Sequence, residues 1–275
     1  MLFRRLFLCA LLVGVLTGLF DSAVQRWQVV PLILAAEVFE VAGEQQAASH
    51  EHAAGAAAHS HEAQAWEPET GFERTAYTVL ANVLNAIGSA LLLLPLMAFV
   101  NRQRGGHALS LKNDYGQTIR HGLLWGAAAW VSLFAMPAIG LPPELPGMQA
   151  AALQARQWWW LLTVACGAGG LALLCLVRAK WRVLGLALLV LPHAIGAPHH
   201  EGSAFAGMGA EATAQMQVLA SRFVVATSIA SAVQWLLLGT LCAVAAARWL
   251  APVIHPADPV SSSTTAANVT AGSPR

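Results

Sequence analysis

Imidazole and carboxylate groups are concentrated in a few short segments of this 275-residue chain. Four of its ten histidines, His50, His52, His59 and His61, lie within twelve residues and have glutamates beside them. Neutral imidazole is a borderline ligand that suits Co²⁺, Ni²⁺, Cu²⁺ and Zn²⁺, and the alternate spacing brings two rings within reach of one ion. The tract therefore predicts a metal-collecting loop, and a spacer with incidental histidines is the alternative.

A second group of ligand-type residues lies in the segment Leu191–Glu201. Two prolines and Gly196 predict a helix break here, and broken helices at membrane depth usually line cavities or binding sites. His193 precedes the predicted break, and His199 and His200 follow it. We interpret the three histidines as candidate metal ligands, whereas a single histidine at this position would more often be a satisfied interface residue.

Carboxylates form the third group. Glu37, Glu40 and Glu44 are spaced i, i+3 and i+7, so a helix would present them on one face. That face is either the solvated side of an interfacial helix or a row of acids along a cation path, and the spacing leaves both open. Glu144 lies in a turn rich in proline and glycine that would hold it in place. Glu37 and Glu144 are the acids that we consider as metal ligands.

The composition predicts that membrane helices position these groups. The chain is 57% hydrophobic and only 11% charged, with a mean hydropathy of +0.57, whereas soluble domains carry about 25% charged residues. We predict an all-α polytopic membrane protein with five or six transmembrane helices, and the count is open because the first and fifth stretches are short. The six stretches are Leu6–Phe20, Thr75–Val100, Arg120–Ile139, Trp158–Val177, Val183–Ala197 and Ser221–Leu250.

Charge then predicts the orientation. In a six-span arrangement, eleven of the fifteen basic residues fall on one side, and cytoplasmic loops concentrate Lys and Arg. The N-terminus is therefore expected in the cytoplasm. Twelve of the fourteen carboxylates and the histidine clusters fall on the opposite, outer side. We expect residues 1–250 to form the membrane domain, residues 43–66 to be its outer histidine-rich loop, and residues 251–275 to be a disordered cytoplasmic tail.

Two of the predicted spans carry polar residues at helical spacing. Such stripes either hold helices together by hydrogen bonds or line a hydrated path. We interpret them as candidate path-lining residues, with interhelical contact as the alternative for each. They are Asn82, Asn85 and Ser89 on the second span, and Thr227, Ser231 and Gln234 on the sixth.

Several functional classes are disfavoured. The basic residues form no patch for nucleic acid, and the chain has no Gly-rich phosphate loop followed by Lys-Ser/Thr. The four cysteines contain no Cys-x-x-Cys pair for zinc. A haem enzyme is a further hypothesis, but His121 and His193 are expected at opposite ends of the bundle, which leaves no pair at one depth.

The order of these motifs resembles the CbtA family of cobalt transporter subunits. The resemblance rests on Pro31–Glu37, the histidine tract, Glu73-Arg74-Thr75, Gly140–Gly147, Arg156–Trp159 and Leu191–Pro198, and it extends to about residue 250. It implies a protein of the bacterial inner membrane that takes up cobalt for cobalamin synthesis, with a small single-span, histidine-bearing partner subunit (CbtB). The family is usually described with five spans, one fewer than the apolar stretches counted here.

Together these observations favour a divalent-cation permease and not an enzyme. Cobalt(II) would be the transported ion, and no permanently bound cofactor is expected. The alternative is a membrane metal sensor or metal chaperone that binds its ion without transporting it. The residue types do not rank cobalt against nickel or zinc, because the ligand preferences of these ions overlap.

Overall fold

A computed structural model describes residues 2–40, 68–69, 71–103 and 115–250. The predicted tail 251–275 and the whole of the predicted loop 43–66, including His50, His52, His59 and His61, lie outside these residues.

The described chain is helical and contains no strand, as the sequence predicts. An apolar segment in a bilayer must satisfy its backbone hydrogen bonds internally, which an α-helix does. The helices are α1 (Leu2–Gln28), α2 (30–40), α3 (Phe72–Gln103), α4 (Tyr115–Trp130), α5 (Met136–Gly140), α6 (Leu153–Leu176), α7 (Arg182–Ile195) and α8 (Ala210–Ala245). A π-helical segment, Val131–Ala135, joins α4 to α5, a second one, Ala246–Leu250, extends α8, and a short 3₁₀ turn, Ala179–Trp181, precedes α7.

Glycines set the closest helix contacts. A Cβ added to Gly14 of α1 would lie 2.5 Å from the Cα of Ile87, and one added to Gly18 would lie 2.5 Å from the Cα of Val83. The partner number falls as the α1 number rises, so α1 and α3 are antiparallel. The same holds for α4 and α8, where Gly122 faces Thr240 and the following turn of α4 faces the preceding turn of α8. Gly122 and Gly126 of α4, a Gly-xxx-Gly pair, thus form a packing contact.

Helix α8 also runs antiparallel to α1. Arg5 donates a hydrogen bond to the carbonyl of Trp249 (3.3 Å), and Cys9 and Cys242 belong to one buried core. That core is built from the facing sides of α1, α3 and α8 and includes fully buried Leu94 of α3.

The two ends of the bundle differ in charge. We call the end formed by α2, the start of α3, residues 141–152 and residues 196–209 the cap end, and the other the basic end. All Asp and Glu residues that the structure describes lie towards the cap end, where α1 also finishes. The described basic residues at the other end are Arg4, Arg5, Arg102, Arg120, Arg178, Lys180, Arg182 and Arg248.

Five segments among the described helices are long and apolar enough to cross a membrane. They are Leu2–Gln28, Phe72–Gln103, Tyr115–Gly140, Leu153–Leu176 and Ala210–Leu250. The predicted fifth stretch, Val183–Ala197, is instead the 14-residue helix α7. At 1.5 Å per residue it is about 21 Å long, less than the bilayer's hydrocarbon core of about 30 Å. It still runs antiparallel to α6, because Gly185 packs on Gly170 and Pro192 lies beside Trp159.

The helix break predicted within Leu191–Glu201 is present, and it lies at the end of α7. The helix continues through Pro192 and ends at Ile195, where Gly196 adopts a φ of 88°. A left-handed conformation of this kind favours glycine, so the glycine and not the proline ends the helix. As a result His193 lies within the last helical turn.

The cap end has an apolar core of its own. Val29, Ala36, Leu145, Met216 and Phe223 are buried together there. The cluster joins α2, the turn after α5 and the start of α8, and a backbone hydrogen bond from Gln149 to Ala204 (2.8 Å) links the two cap loops. These contacts hold α2 and the turn around Glu144 in fixed positions.

Candidate functional site

Glu37 is bound by an arginine. Arg74 at the start of α3 donates from both terminal nitrogens to the two carboxylate oxygens of Glu37 on α2, with the Nη1–Oε2 distance at 3.0 Å. Both side chains are about one-third exposed. A bidentate pair of this kind is among the stronger charge-assisted contacts. The contact ties α2 to α3 and occupies both oxygens that a cation would use.

Glu144 also forms an ion pair with an arginine, at a second position. Arg156 on α6 lies 2.7 Å from a Glu144 carboxylate oxygen, and the two side chains are 30% and 25% exposed. The Nε of Arg156 is buried and has no hydrogen-bond partner among the described residues. The pair borders an open groove of about 530 Å³ whose walls include Pro142, Pro143 and Trp160. The groove therefore combines apolar walls with one ion pair.

His193 packs against an aromatic ring. Its ring meets Trp159 edge to face at a centroid distance of 6.0 Å, and the indole nitrogen of Trp159 donates to the carbonyl of Pro192 (3.2 Å). The Nε2 of His193 is buried and without a hydrogen-bond partner in the described part of the chain. His199 and His200 are exposed on the loop that follows α7.

These candidate ligands do not form a preassembled cage. Among the described residues, no three His, Cys, Asp or Glu side chains lie close enough together to hold a metal ion. Glu37 and Glu144 are each paired with a different arginine, and His193 lies beside α6. The metal-ligand assignments stay predictions, because they also involve the histidine tract outside the described residues.

The three residues of the polar stripe on α3 differ in how deeply they are buried. Asn82 is half-buried and donates to Ser22 (3.1 Å) and to Gln25 (3.2 Å) on α1, so it bridges two helices. Asn85 is exposed, and Ser89 is half-buried. The bridging hydrogen bonds are those expected of an interhelical contact.

The stripe on α8 faces the interior only in part. Thr227, Ser231 and Gln234 are all half-buried. The hydroxyl oxygen of Thr227 is inaccessible to solvent and has no partner among the described atoms. An unpartnered hydroxyl inside a bundle leaves capacity for a further hydrogen bond.

Sequence reasoning missed Asp21. The predicted first span ends at Phe20 and leaves Asp21 out, but Asp21 is 2% exposed and accepts a hydrogen bond from Gln25 (2.7 Å). Helix α1 continues without a break to Gln28, so Asp21 lies inside the helix interface. The spacing Thr17, Asp21, Gln25 is the same i, i+4 signal that revealed the other stripes.

The haem hypothesis finds no support in the helix geometry. His121 lies in the second turn of α4, near the basic end, and accepts a hydrogen bond from Trp125 (3.0 Å). His193 lies at the cap end, so the two rings belong to opposite ends of the bundle.

Comparison with known proteins gives one family. Residues 3–247 match the family described as probable cobalt transporter subunit (CbtA). Searches among curated proteins and among solved structures found no match. The family match covers nearly the whole chain and agrees with the five long apolar helices. The chain is a multi-pass membrane protein and belongs to the CbtA family of probable cobalt transporter subunits.

Proposed function

We propose that this chain is the membrane subunit of a cobalt(II) uptake system of the bacterial inner membrane and is not an enzyme. Family membership is the observation that carries the proposal. In the proposed arrangement the cap end faces outward and the N-terminus is cytoplasmic, because the basic residues gather at the other end of the bundle.

Metal capture would begin at the histidine tract. The chain segment with His50, His52, His59 and His61 connects residue 40 of α2 to residue 68, and both attachment points belong to the cap end. Glu37 lies three residues before the first of these attachment points. Imidazoles suit cobalt(II), and neighbouring carboxylates add charge. An ion collected by the tract would be delivered to the acids and to His193 at the cap end.

Entry would require an exchange of partners. Glu37 and Glu144 each neutralise an arginine, so a cation that takes either carboxylate must displace a guanidinium. This exchange would keep the entry closed to ions that bind carboxylates weakly. His193, with an unpartnered buried Nε2, offers a neutral ligand that needs no such displacement.

The proposed inward path follows the interface of α1, α3 and α8. Asn82 on α3 and the stripe Thr227, Ser231 and Gln234 on α8 supply polar atoms there. A negative potential inside the cell favours inward movement by about 2.3 kcal/mol per charge per 100 mV. A small single-span, histidine-bearing CbtB-like protein is the proposed partner, consistent with a family whose members are described as subunits.

The test measures cobalt accumulation in cells that express the chain with its partner. His193→Ala and Glu144→Gln should lower uptake, because each removes a proposed ligand. Glu211→Gln is the matched control, since Glu211 is an exposed cap-end acid with no proposed role. Membrane abundance is measured for every variant. Unchanged uptake for His193→Ala at normal abundance would remove that residue from the path.

Reconstitution separates transport from the alternative function. Vesicles that contain the purified chain, alone or with its partner, are loaded with a cobalt-sensitive dye. Flux in either preparation supports transport. Cobalt binding without flux in both would favour a sensor or metal chaperone.

A further inference from the structure

A buried carboxylate lies between α1 and α3, away from all the candidate ligands above. Asp21 is seven residues before the end of α1, about 10 Å along the helix axis. Its side chain is 2% exposed, although an ionised carboxylate in an apolar bundle carries a large desolvation cost. The chain therefore has a structural reason to neutralise this group.

Only one of the two carboxylate oxygens is satisfied. Oδ2 accepts a hydrogen bond from the amide of Gln25 (2.7 Å), and Gln25 in turn accepts one from Asn82 (3.2 Å). Ser22 donates to the carbonyl of Gly18 (2.7 Å). Oδ1 is buried and has no partner in the described part of the chain.

A second unpartnered oxygen lies on the same helix face. Thr17 is fully buried, four residues before Asp21, and its hydroxyl oxygen has no described hydrogen-bond partner. Residues four apart on a helix are neighbours. The two oxygens are not hydrogen-bonded to each other in this structure, but a protonated Oδ1 would be a donor and the Thr17 hydroxyl an acceptor on the same helix face, and a side-chain rotation would join them.

No described cation compensates Asp21. The described salt bridges leave it out. On α1, Arg26 is exposed, and on α3, Arg74 is bound to Glu37. The pairing of α1 with α8 places Asp21 level with residues 230–233, about two to three turns from exposed Arg222. The other titratable groups on the cap-end halves of the helices around it are Glu73 and Tyr77 on α3, Glu40 on α2 and Glu211 on α8, whereas Arg4, Arg5, Cys9, Arg102 and Cys242 lie towards the basic end.

The ligand chemistry favours a proton over a metal ion. Magnesium and calcium take six or more oxygen ligands, usually with more than one carboxylate. The polar cluster around Asp21 contains no second acid among the described residues. The other members carry hydroxyl or amide groups and are Thr17, Ser22, Gln25 and Asn82. Cobalt would prefer imidazole, and no group of three metal-binding side chains includes Asp21 in the described residues.

We propose that Asp21 is a proton-binding site inside the helix bundle, with Thr17 as hydrogen-bond acceptor for the bound proton. Binding converts the carboxylate into a neutral carboxyl group, and release returns one proton and one negative charge. The coupling part of this inference rests on the proposed transport function. Asn82 connects Asp21 to the α3 stripe through Gln25, so the charge of Asp21 sets the electrostatic barrier for a cation in the path.

Infrared difference spectroscopy tests the site without cobalt. The full chain is placed in lipid nanodiscs at about pH 5.5, where ordinary carboxyl groups with a pKa near 4 are more than nine-tenths ionised. The C=O stretch of a protonated carboxyl should persist in the wild type and be missing in Asp21→Asn. Glu211→Gln should leave it unchanged. A spectrum without this band in the wild type would overturn the proposal.

A second variant keeps the test decisive if Asp21→Asn fails to fold. Thr17→Val removes the acceptor and preserves the shape of the side chain, so the C=O band should move to the higher frequency of a carboxyl with a free hydroxyl. An unmoved band would rule out Thr17 as the partner.

Transport measurements then separate the two proposals. Cobalt flux into vesicles should change with external pH in the wild type, and Asp21→Asn should change the shape of that dependence, with the part that comes from the histidine ligands retained. A carboxyl band without any cobalt flux would leave the proton site standing and remove the transport function. Cobalt flux without the carboxyl band, and with the same pH dependence in Asp21→Asn as in the wild type, would support transport and remove the proton site.

Discussion

Removing Arg74 should make the chain bind cobalt more tightly. The guanidinium holds both oxygens of Glu37, so a cation that uses this carboxylate must first break the ion pair. At 3.0 Å and an effective dielectric constant of 20, the attraction is about 5 kcal/mol. Both side chains are about one-third exposed, so solvent screening and desolvation reduce the net value to about 1–2 kcal/mol. Arg74→Gln should therefore raise cobalt affinity by about 5- to 30-fold.

The assay is calorimetric titration of the purified chain with cobalt(II) at pH 7. Arg222→Gln is the matched control, because it removes the same charge from the cap end and Arg222 is exposed and outside the described salt bridges. The difference between the two variants isolates the contact from the general loss of positive charge. Equal affinities in both variants would show that the ion pair does not restrain Glu37.

A double-mutant cycle tells whether the effect passes through Glu37. Glu37→Gln alone should weaken binding, and adding Arg74→Gln to it should bring no gain, because the released carboxylate is absent. A gain that survives in the double variant would mean that Arg74 opposes cobalt through another group.

Two further predictions concern the bundle. Gly18→Ala should lower the melting temperature in detergent, because the new Cβ would lie 2.5 Å from the Cα of Val83 and would push two backbones apart; Gly88→Ala, where no atom lies within 4 Å, should leave it unchanged or raise it. Asn82→Leu should lower the free energy of unfolding by about 0.6–1.7 kcal/mol, because it removes the hydrogen bonds to α1. Asn85→Leu, on the exposed side of α3, should leave the free energy of unfolding almost unchanged. Equal unfolding free energies in the two variants would contradict the bridging role of Asn82.

The helices were accessible to sequence reasoning because they depend on local composition. Long apolar runs identify the five long spans, and the Gly-xxx-Gly spacing in α4 identifies a packing face. The end of α7 was accessible to within two residues, because the fifth stretch was predicted to end at Ala197 and the helix ends at Ile195, before Gly196 with its positive φ. Hydropathy alone does not show whether so short a helix crosses the membrane.

Whether a candidate ligand is free or bound to an arginine depends on contacts between segments that are distant in the sequence. Glu37 and Arg74 are 37 residues apart, and they meet only because the apolar cluster around Leu145 fixes α2 at the cap end. No local pattern contains that information. Asp21 is different, because its i, i+4 spacing with Thr17 is visible in the sequence. The apolar run, however, ends at Phe20, so hydropathy leaves Asp21 outside the predicted span.

Helix α3 is linked to both Glu37 and Asp21, through Arg74 at its start and through Asn82 two turns later. One face of α3 carries polar residues at a spacing of four, namely Arg74, Thr78 and Asn82. Thr78 donates to the carbonyl of Arg74 (2.8 Å). Asn82 donates to Gln25, which is hydrogen-bonded to Asp21. From Arg74 to Asn82 the helix rises about 12 Å. A cation released from Glu37 would therefore meet its next carboxylate within one short stretch of polar atoms. A permanently ionised Asp21 would hold a divalent ion strongly there, whereas a protonated one would let it pass. Proton exchange at Asp21 would thus supply the release step that the proposed path requires at a buried acid.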